Sequence, residues 1–324
     1  MKTKFAIGCL VQWYEVNIIG EYISSLKAAV DVYGSENVLI HFDIIQDQIL
    51  EEFDGTEEEF EVLLDSLMDK ITSLEGNYKV HWNCFNKYTQ ASNEVYSIAD
   101  HRREFNERYC EKVDVLVWGE SDMLVPLQAF TVLDHLHQNV QTPKYVATFS
   151  ICKMWDASWK VLEHPKFTDK PFIENDYDNW WSLKYTMSIQ EMNSINSETE
   201  QLELLATTQH KFNGCGLIIS SEVIKAGVNI PSSVFFVHED TAFMIIMNRL
   251  LESIPQYIIK NILVVHNRNH PKKRMYVKGE SGETMNQKRR SNSWYIKANK
   301  YSEENCYNLF NPNYKSKTWK DVWK

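Results

Sequence analysis

The chain alternates between two apolar rhythms. KFAIGCLV at residues 4–11 is a continuous apolar run of strand length, and the next apolar positions, Ile18, Ile19, Tyr22, Ile23, Leu26, Ala29 and Val30, recur at helical spacing up to Gly34. VLIHFDI at 38–44 is a second strand carrying Asp43, so the opening reads as a strand–helix–strand unit with parallel strands. Residues 46–75, with the acid run EEFDGTEEEFE, predict an exposed stretch and then an amphipathic helix whose acids form a solvated face. YKVHWNCF at 78–85 is a third strand, and SIADHRREFNERYCEK is a helix bearing Arg102 and Arg103. KYVATFSI is another strand, reached through a helix over 127–138. No internal repeat or low-complexity tract interrupts this order.

The centre of the pattern is VDVLVWGESDMLVP, residues 113–126. Val113 and Val115 to Trp118 have the look of a strand buried on both faces, and the run ends abruptly in Gly119, Glu120, Ser121 and Asp122. Two carboxylates two residues apart on extended chain share a face, and the end of a buried strand opens into the crevice where open α/β sheets bind ligands. Two later segments repeat the device. VFFVHEDTAF predicts an apolar strand ending in His238, Glu239 and Asp240, which then begin a helix. NILVVHNRNHPKKR predicts a strand giving way to His266, Arg268, His270, Lys272, Lys273 and Arg274. In one mostly parallel sheet these three ends would converge. Between them, FNGCGLIISSEVIKAGVNI offers two glycines for close backbone approach, a short strand and a helix. The least regular part, 152–209, is dense in aromatics, among them Trp155, Trp159, Tyr177, Trp180, Trp181 and Tyr185, a satellite core or a platform for a flat ring.

Composition changes this picture little. At 324 residues and 44% hydrophobic, the chain can bury a sizeable core. No apolar run approaches the ~20 residues of a membrane-spanning helix, and KFAIGCLVQW lacks a secretory cleavage site, so a cytoplasmic protein is expected. The six cysteines show neither CxxC nor zinc-ligand spacing and read as core residues. Charge is more informative. From His266 onward there are 14 Lys and Arg against 5 Asp and Glu, whereas the preceding residues hold 20 against 39. A basic segment follows an acidic body, which divides the chain into 1–265 and 266–324 and points to a phosphate-bearing ligand, a nucleic acid or a solvated tail.

Taken together, these segments resemble the family-two-like nucleotide-sugar glycosyltransferases of the GT-A fold, over residues 4 to about 270 with insertions at 46–75 and 152–209. KFAIGCLVQWYEVNIIGEYISSL resembles the family's first strand, loop and helix, with Trp13, Tyr14 and Glu15 in the loop. VLIHFDI is similar to the strand whose terminal Asp meets the nucleobase. Glu120, Ser121 and Asp122 stand where the family has its DXD acids, the glycines of FNGCG where it has its acceptor segment, and Glu239-Asp240 where it has its catalytic acid pair. The resemblance implies an α/β fold of the GT-A (Rossmann-like) type, a mostly parallel sheet flanked by helices, with a basic C-terminal extension serving as lid or acceptor-binding piece. It implies inverting, metal-dependent transfer of a sugar from a nucleoside-diphosphate donor to an acceptor hydroxyl on a glycan, a glycoconjugate or a hydroxylated DNA base. Mn²⁺ or Mg²⁺ would be held by Asp122 and His266, with His270 as the other histidine. Glu15, Asp43, Arg103, Glu120, Lys272, Lys273 and Arg274 would contact the donor, and Asp240 would act as base with Glu239 orienting the acceptor. The competing class is a non-catalytic nucleotide- or nucleic-acid-binding module on a similar scaffold.

Overall fold

A computed structural model describes residues 2–47, 55–86, 88–89, 94–152, 157–168, 186–208, 212–251, 254–267 and 293–324. Strands β1 (Phe5–Gln12), β2 (Val38–Asp47) and β3 (Lys79–Asn86) form a parallel set, and β6 (Val115–Glu120) pairs in parallel with the other edge of β1. The short strands β4 (Tyr88–Thr89) and β5 (Glu94–Val95) make a separate hairpin. Beyond β6, the sheet continues through β10 (Ile218–Ser220), β8 (Val146–Ser150), β11 (Gln256–Leu263) and β9 (Leu204–Thr207), in the order β3-β2-β1-β6-β10-β8-β11-β9. Only β10 and β9 run against the rest. This is the α/β fold class the sequence predicts, a mostly parallel eight-stranded sheet flanked by helices.

The helices follow their local signals. α1 (Ile19–Tyr33) buries Tyr22, Leu26 and Val30 against the sheet and stops at Gly34, whose positive φ suits only a residue without a Cβ. α2 (Glu57–Thr72) starts in a Thr56/Glu59 capping box, and α3 (Ile98–Tyr109) in a Ser97/Asp100 box. α4 (Ala129–Asn139), α5 (Ile189–Ser197), α6 (Ser221–Lys225) and α7 (Glu239–Leu250) complete the body, and α8 (Ser293–Tyr307) and α9 (Trp319–Val322) form the C-terminal segment. Among the described residues no helix is long and apolar enough to cross a membrane.

One predicted strand is absent. Residues 234–237 lie in irregular chain, with Phe235 and Phe236 packed on Trp319, Trp294 and Tyr295 instead of on a neighbouring strand. The reason is visible in the backbone bonding. The amides of Phe236 and Val237 donate to Ser302 Oγ on α8, which in turn donates to Val237 O at 2.6 Å, so a helix takes the place a strand would have filled. Asn305 Nδ2 adds a bond to Ser233 O at 2.6 Å. Helix α8 is thereby fastened directly beside the Glu239-Asp240 pair. Trp155, Tyr177, Trp180, Trp181 and Tyr185 lie outside the described residues, as does the side chain of Trp159. The satellite core that is described around that insertion joins Phe167 and Met192 to Leu124, Leu263 and Val265.

Candidate active site

Beyond the C-terminal ends of β1 and β6 lies a cavity of about 770 Å³. It is lined by Glu15 from the turn after β1, Glu120 and Asp122 from the exit of β6, and Glu239 and Asp240 from the first turn of α7. His266 reaches it through a small ribbon. After a bulge in β11, β12 (Val265–His266) pairs antiparallel with β7 (Met123–Leu124), His266 opposite Met123, and Asn267 N donates to Asp122 O at 2.8 Å. The ribbon sets the His266 imidazole 3.0 Å from Glu120 and 3.4 Å from Asp122. The expected convergence of Asp122, Asp240 and His266 therefore exists, although the segment carrying Asp240 is not a strand.

The electrostatics follow from two acids set around one imidazole. Asp122 is 2% exposed and His266 16% exposed. Burial alone would lower the His266 pKa, but the carboxylates of Asp122 and Glu120 beside it outweigh this and hold the imidazolium well above its usual range. Burial would raise Glu120, yet His266 and Arg102 hold it down at about 2. Two carboxylates and an imidazole suit Mn²⁺ or Mg²⁺, which favour oxygen ligands and accept nitrogen.

Arg102 is the residue that ties the site together. It is 2% exposed, pairs with Glu239 and with Glu120 (2.6 Å), donates to Gly214 O at 3.2 Å and lies 4.7 Å from the Trp118 ring centroid. One guanidinium thus joins the acids of the β6 exit to those of α7. Burial pushes the Glu239 carboxyl up, with Asp240 and Glu120 adding to it, and Arg102 offsets this only in part. The sequence reading chose Arg103, which instead pairs with Asp100, donates to Pro231 O and lines a separate cavity of about 890 Å³ beside Tyr96, Glu104 and Trp319. Helical phase was the available signal, because Ala99, Phe105 and Tyr109 mark the buried face and position 102 shares it while 103 does not.

Asp43 also lies away from the larger chemistry. At 2% exposed it takes bonds from His41 (3.1 Å), His101 (2.6 Å), Asn83 (2.9 Å) and Tyr96 (3.1 Å), which uses the four lone-pair directions of a carboxylate. Neither Asp43 nor Arg103 is among the residues lining the cavity of the acids. His270, Lys272, Lys273 and Arg274 lie outside the described residues.

The segment 213–217 closes the site from the side. Gly214 N donates to Asp240 Oδ2 at 3.0 Å, and Gly216, at φ 73°, turns the chain so that its amide reaches Trp118 O at 2.8 Å. A Cβ on Gly214 would fall inside the Arg102 guanidinium, 2.7 Å from Cζ. Gly214→Ala is therefore expected to expel Arg102 and strand two carboxylates, at a cost of about 3 kcal/mol. The measurement is the urea midpoint, and an unchanged midpoint would show that Arg102 is dispensable. His238, with φ 67°, is the one non-glycine residue among those described with left-handed backbone, and it turns the chain into α7 immediately before the acids. The opposite wall comes from α8, through Tyr295, Ile296, Asn299, Lys300 and Glu303. The sequence pointed to the C-terminal extension and to the FNGCG segment as wholes, without singling out the α8 residues or Cys215.

No protein-family model matches the chain, and no curated protein does. Some solved structures align with it. TarS 1–349 of S. aureus is similar over 81% of this chain and 60% of its own length, at 9% identity and a TM-score of 0.46. The same protein in complex with UDP-GlcNAc aligns over 98% of this chain and 70% of its own, at 9% identity and a TM-score of 0.45. The mannosyltransferase PcManGT from Pyrobaculum calidifontis, in complex with GDP-Man and Mn²⁺, aligns over 82% and 57%, at 8% identity and a TM-score of 0.46. The chain thus spans less than two thirds of two of these three. At such identities and TM-scores the likeness carries no chemistry, which has to be read from the residues described above.

Proposed function

We propose that this protein is a metal-dependent, inverting glycosyltransferase that moves a sugar from a nucleoside diphosphate to a carbohydrate hydroxyl. The observation that carries the proposal is the meeting of Glu120, Asp122 and His266 with Glu239 and Asp240 around one cavity, although three distant segments supply them. A binding module for phosphates has no use for an acid pair facing its anionic ligand. A transferase needs both halves, cationic stabilisation where the diphosphate leaves and a carboxylate where a hydroxyl loses its proton.

Charge argues for the metal. Among the described residues the cavity is lined by Glu15, Glu120, Asp122, Glu239, Asp240 and Glu303 against Arg102, His266 and Lys300. A diphosphate entering this surplus of negative charge requires a cation to accompany it. Asp122, Glu120 and His266 would hold Mn²⁺ or Mg²⁺, which when bound supplies Lewis-acid stabilisation of the leaving diphosphate. Lys272, Lys273 and Arg274 are our candidates for further phosphate contact.

Asp240 is the base in this reading. Its Oδ2 is held by Gly214 N and its Oδ1 by Thr241 N, so the carboxylate is oriented before any substrate arrives. Glu239, tied to Arg102, positions the pair. α8 packs beside α7, and we assign its cavity face to the acceptor: Tyr295 offers a ring, and Asn299, Lys300 and Glu303 offer groups that bond to hydroxyls. The acidic lining favours a neutral saccharide over a DNA strand, whose phosphates it would repel.

A panel of nucleoside-diphosphate sugars incubated with the protein tests the reading. Slow release of free nucleoside diphosphate from one donor, present with Mn²⁺ and abolished by EDTA, is expected. Absence of release from every donor, with tight donor binding retained, would favour the binding module instead.

A further inference from the structure

Cys215 stands against the metal-binding residues in a way that the proposed transfer reaction does not require. Its thiol, a carboxylate oxygen of Glu120 and a ring nitrogen of His266 all lie within 4.8 Å of one another. The cysteine is 2% exposed yet borders the cavity. It is also firmly placed: Cys215 N donates to Asn213 Oδ1 at 2.9 Å, and the flanking glycines are bonded to Asp240 and to Trp118 O. Two ligand sets therefore overlap in one site. Glu120, Asp122 and His266 present oxygen, oxygen and nitrogen, whereas Glu120, His266 and Cys215 present oxygen, nitrogen and sulfur.

We propose that this site takes a second class of cation, the thiophilic ions Zn²⁺, Co²⁺ and Cd²⁺, through Cys215, His266 and Glu120, in competition with the Mn²⁺ or Mg²⁺ that the Asp122 side holds. The chemistry follows from ligand type. Hard ions gain little from sulfur, whereas thiolate and imidazole together are preferred ligands of zinc and its analogues, and zinc stands above manganese in intrinsic affinity for such sites. Coordination replaces the Cys215 S–H bond by a sulfur–metal bond and the thiol proton passes to the buffer, so no oxidant or reductant is needed. Burial, together with Glu120 and Asp122, pushes the thiol pKa up, and His266 only partly offsets this. The consequence for the protein is that zinc would occupy the site in a form displaced from Asp122. Zinc would then act as an inhibitor of the manganese-supported reaction.

Ligation by Cys215 rests on the side-chain geometry, whereas the competition and inhibition rest on the proposed function, and the test uses neither donor nor acceptor. The full chain is titrated with Co²⁺ and followed by absorption. A thiolate-to-cobalt charge-transfer band saturating at one equivalent is expected, together with its loss on adding Cd²⁺ or Zn²⁺. In Cys215→Ser the band should vanish, and the ratio of Zn²⁺ to Mn²⁺ affinity should fall at least about tenfold. Mn²⁺ binding by that variant, measured from the free-ion EPR signal, should stay within about twofold, which also shows that the variant is folded. A wild-type protein without the band, a band that survives in Cys215→Ser, or an unchanged affinity ratio would each overturn the proposal.

Discussion

Asp240→Asn is expected to lower sugar transfer by about a thousandfold while the donor dissociation constant in the presence of Mn²⁺ changes by less than about threefold. The two readouts separate because Asp240 does not belong to the Glu120, Asp122 and His266 set, and its bonds run to Gly214 N and Thr241 N. A carboxylate accepts both amides and keeps a lone pair for the proton of an attacking hydroxyl. An amide cannot accept that proton, and its NH₂ group must face one of the two amide donors. That local mismatch costs about 1–3 kcal/mol and is confined to the loop at Gly214. Single-turnover transfer and calorimetric donor binding are the measurements. Transfer retained within about threefold of wild type would remove Asp240 from the role of base, and Glu239, held by Arg102 on the same turn of α7, would be the next residue to test.

Asp122→Ala is expected to weaken Mn²⁺-dependent donor binding by about a hundredfold and to leave the weak metal-free binding unchanged. Asp122 presents its side chain to His266, while its backbone oxygen holds Asn267 in the β7–β12 ribbon. Truncation at Cβ removes the carboxylate and keeps the backbone bond, so the ribbon and His266 stay in place. Wild-type protein treated with EDTA should bind the donor like the variant. Equal donor affinity for variant and wild type in excess Mn²⁺ would show that the cation is held elsewhere.

The cavity of the acids and the cavity beside Arg103 share α3 as a wall, and the consecutive arginines of that helix serve different ones. Arg102 is drawn inward because three groups can pair with it there, Glu120, Glu239 and the Gly214 carbonyl. A buried guanidinium with two carboxylates is stable only as a unit. The acids at the β6 exit and on α7 are therefore coupled to α3, and substitutions at Arg102, Glu239 or Gly214 report on stability as well as on any activity. Asp240 and Asp122 are the cleaner probes.

The order of elements was legible along the chain. Continuous apolar runs gave β1, β2, β3 and β6, helical spacing gave α1, α3 and α4, and Gly34 marked a helix end, each within a few residues of its observed bounds. The ionisable groups at the ends of apolar runs were also legible, and Glu120, Asp122, Glu239, Asp240 and His266 do share one cavity, although the run before Glu239 is not a strand. These features depend on neighbours only a few positions apart, so local sequence is sufficient for them. What decided the rest was contact between distant segments. The β7–β12 ribbon brings His266 to Asp122 across 144 positions of chain. Ser302 on α8 satisfies the amides that an apolar run at 234–237 would otherwise offer to a strand, and the Gly214 backbone shapes the pocket that chooses Arg102 over Arg103. Asp43, which lies inside β2 and not at its end as the sequence suggested, is claimed by two histidines, an asparagine and a tyrosine. A residue's type and spacing announce that it must be paired, but which partner reaches it first depends on the packing of the whole chain.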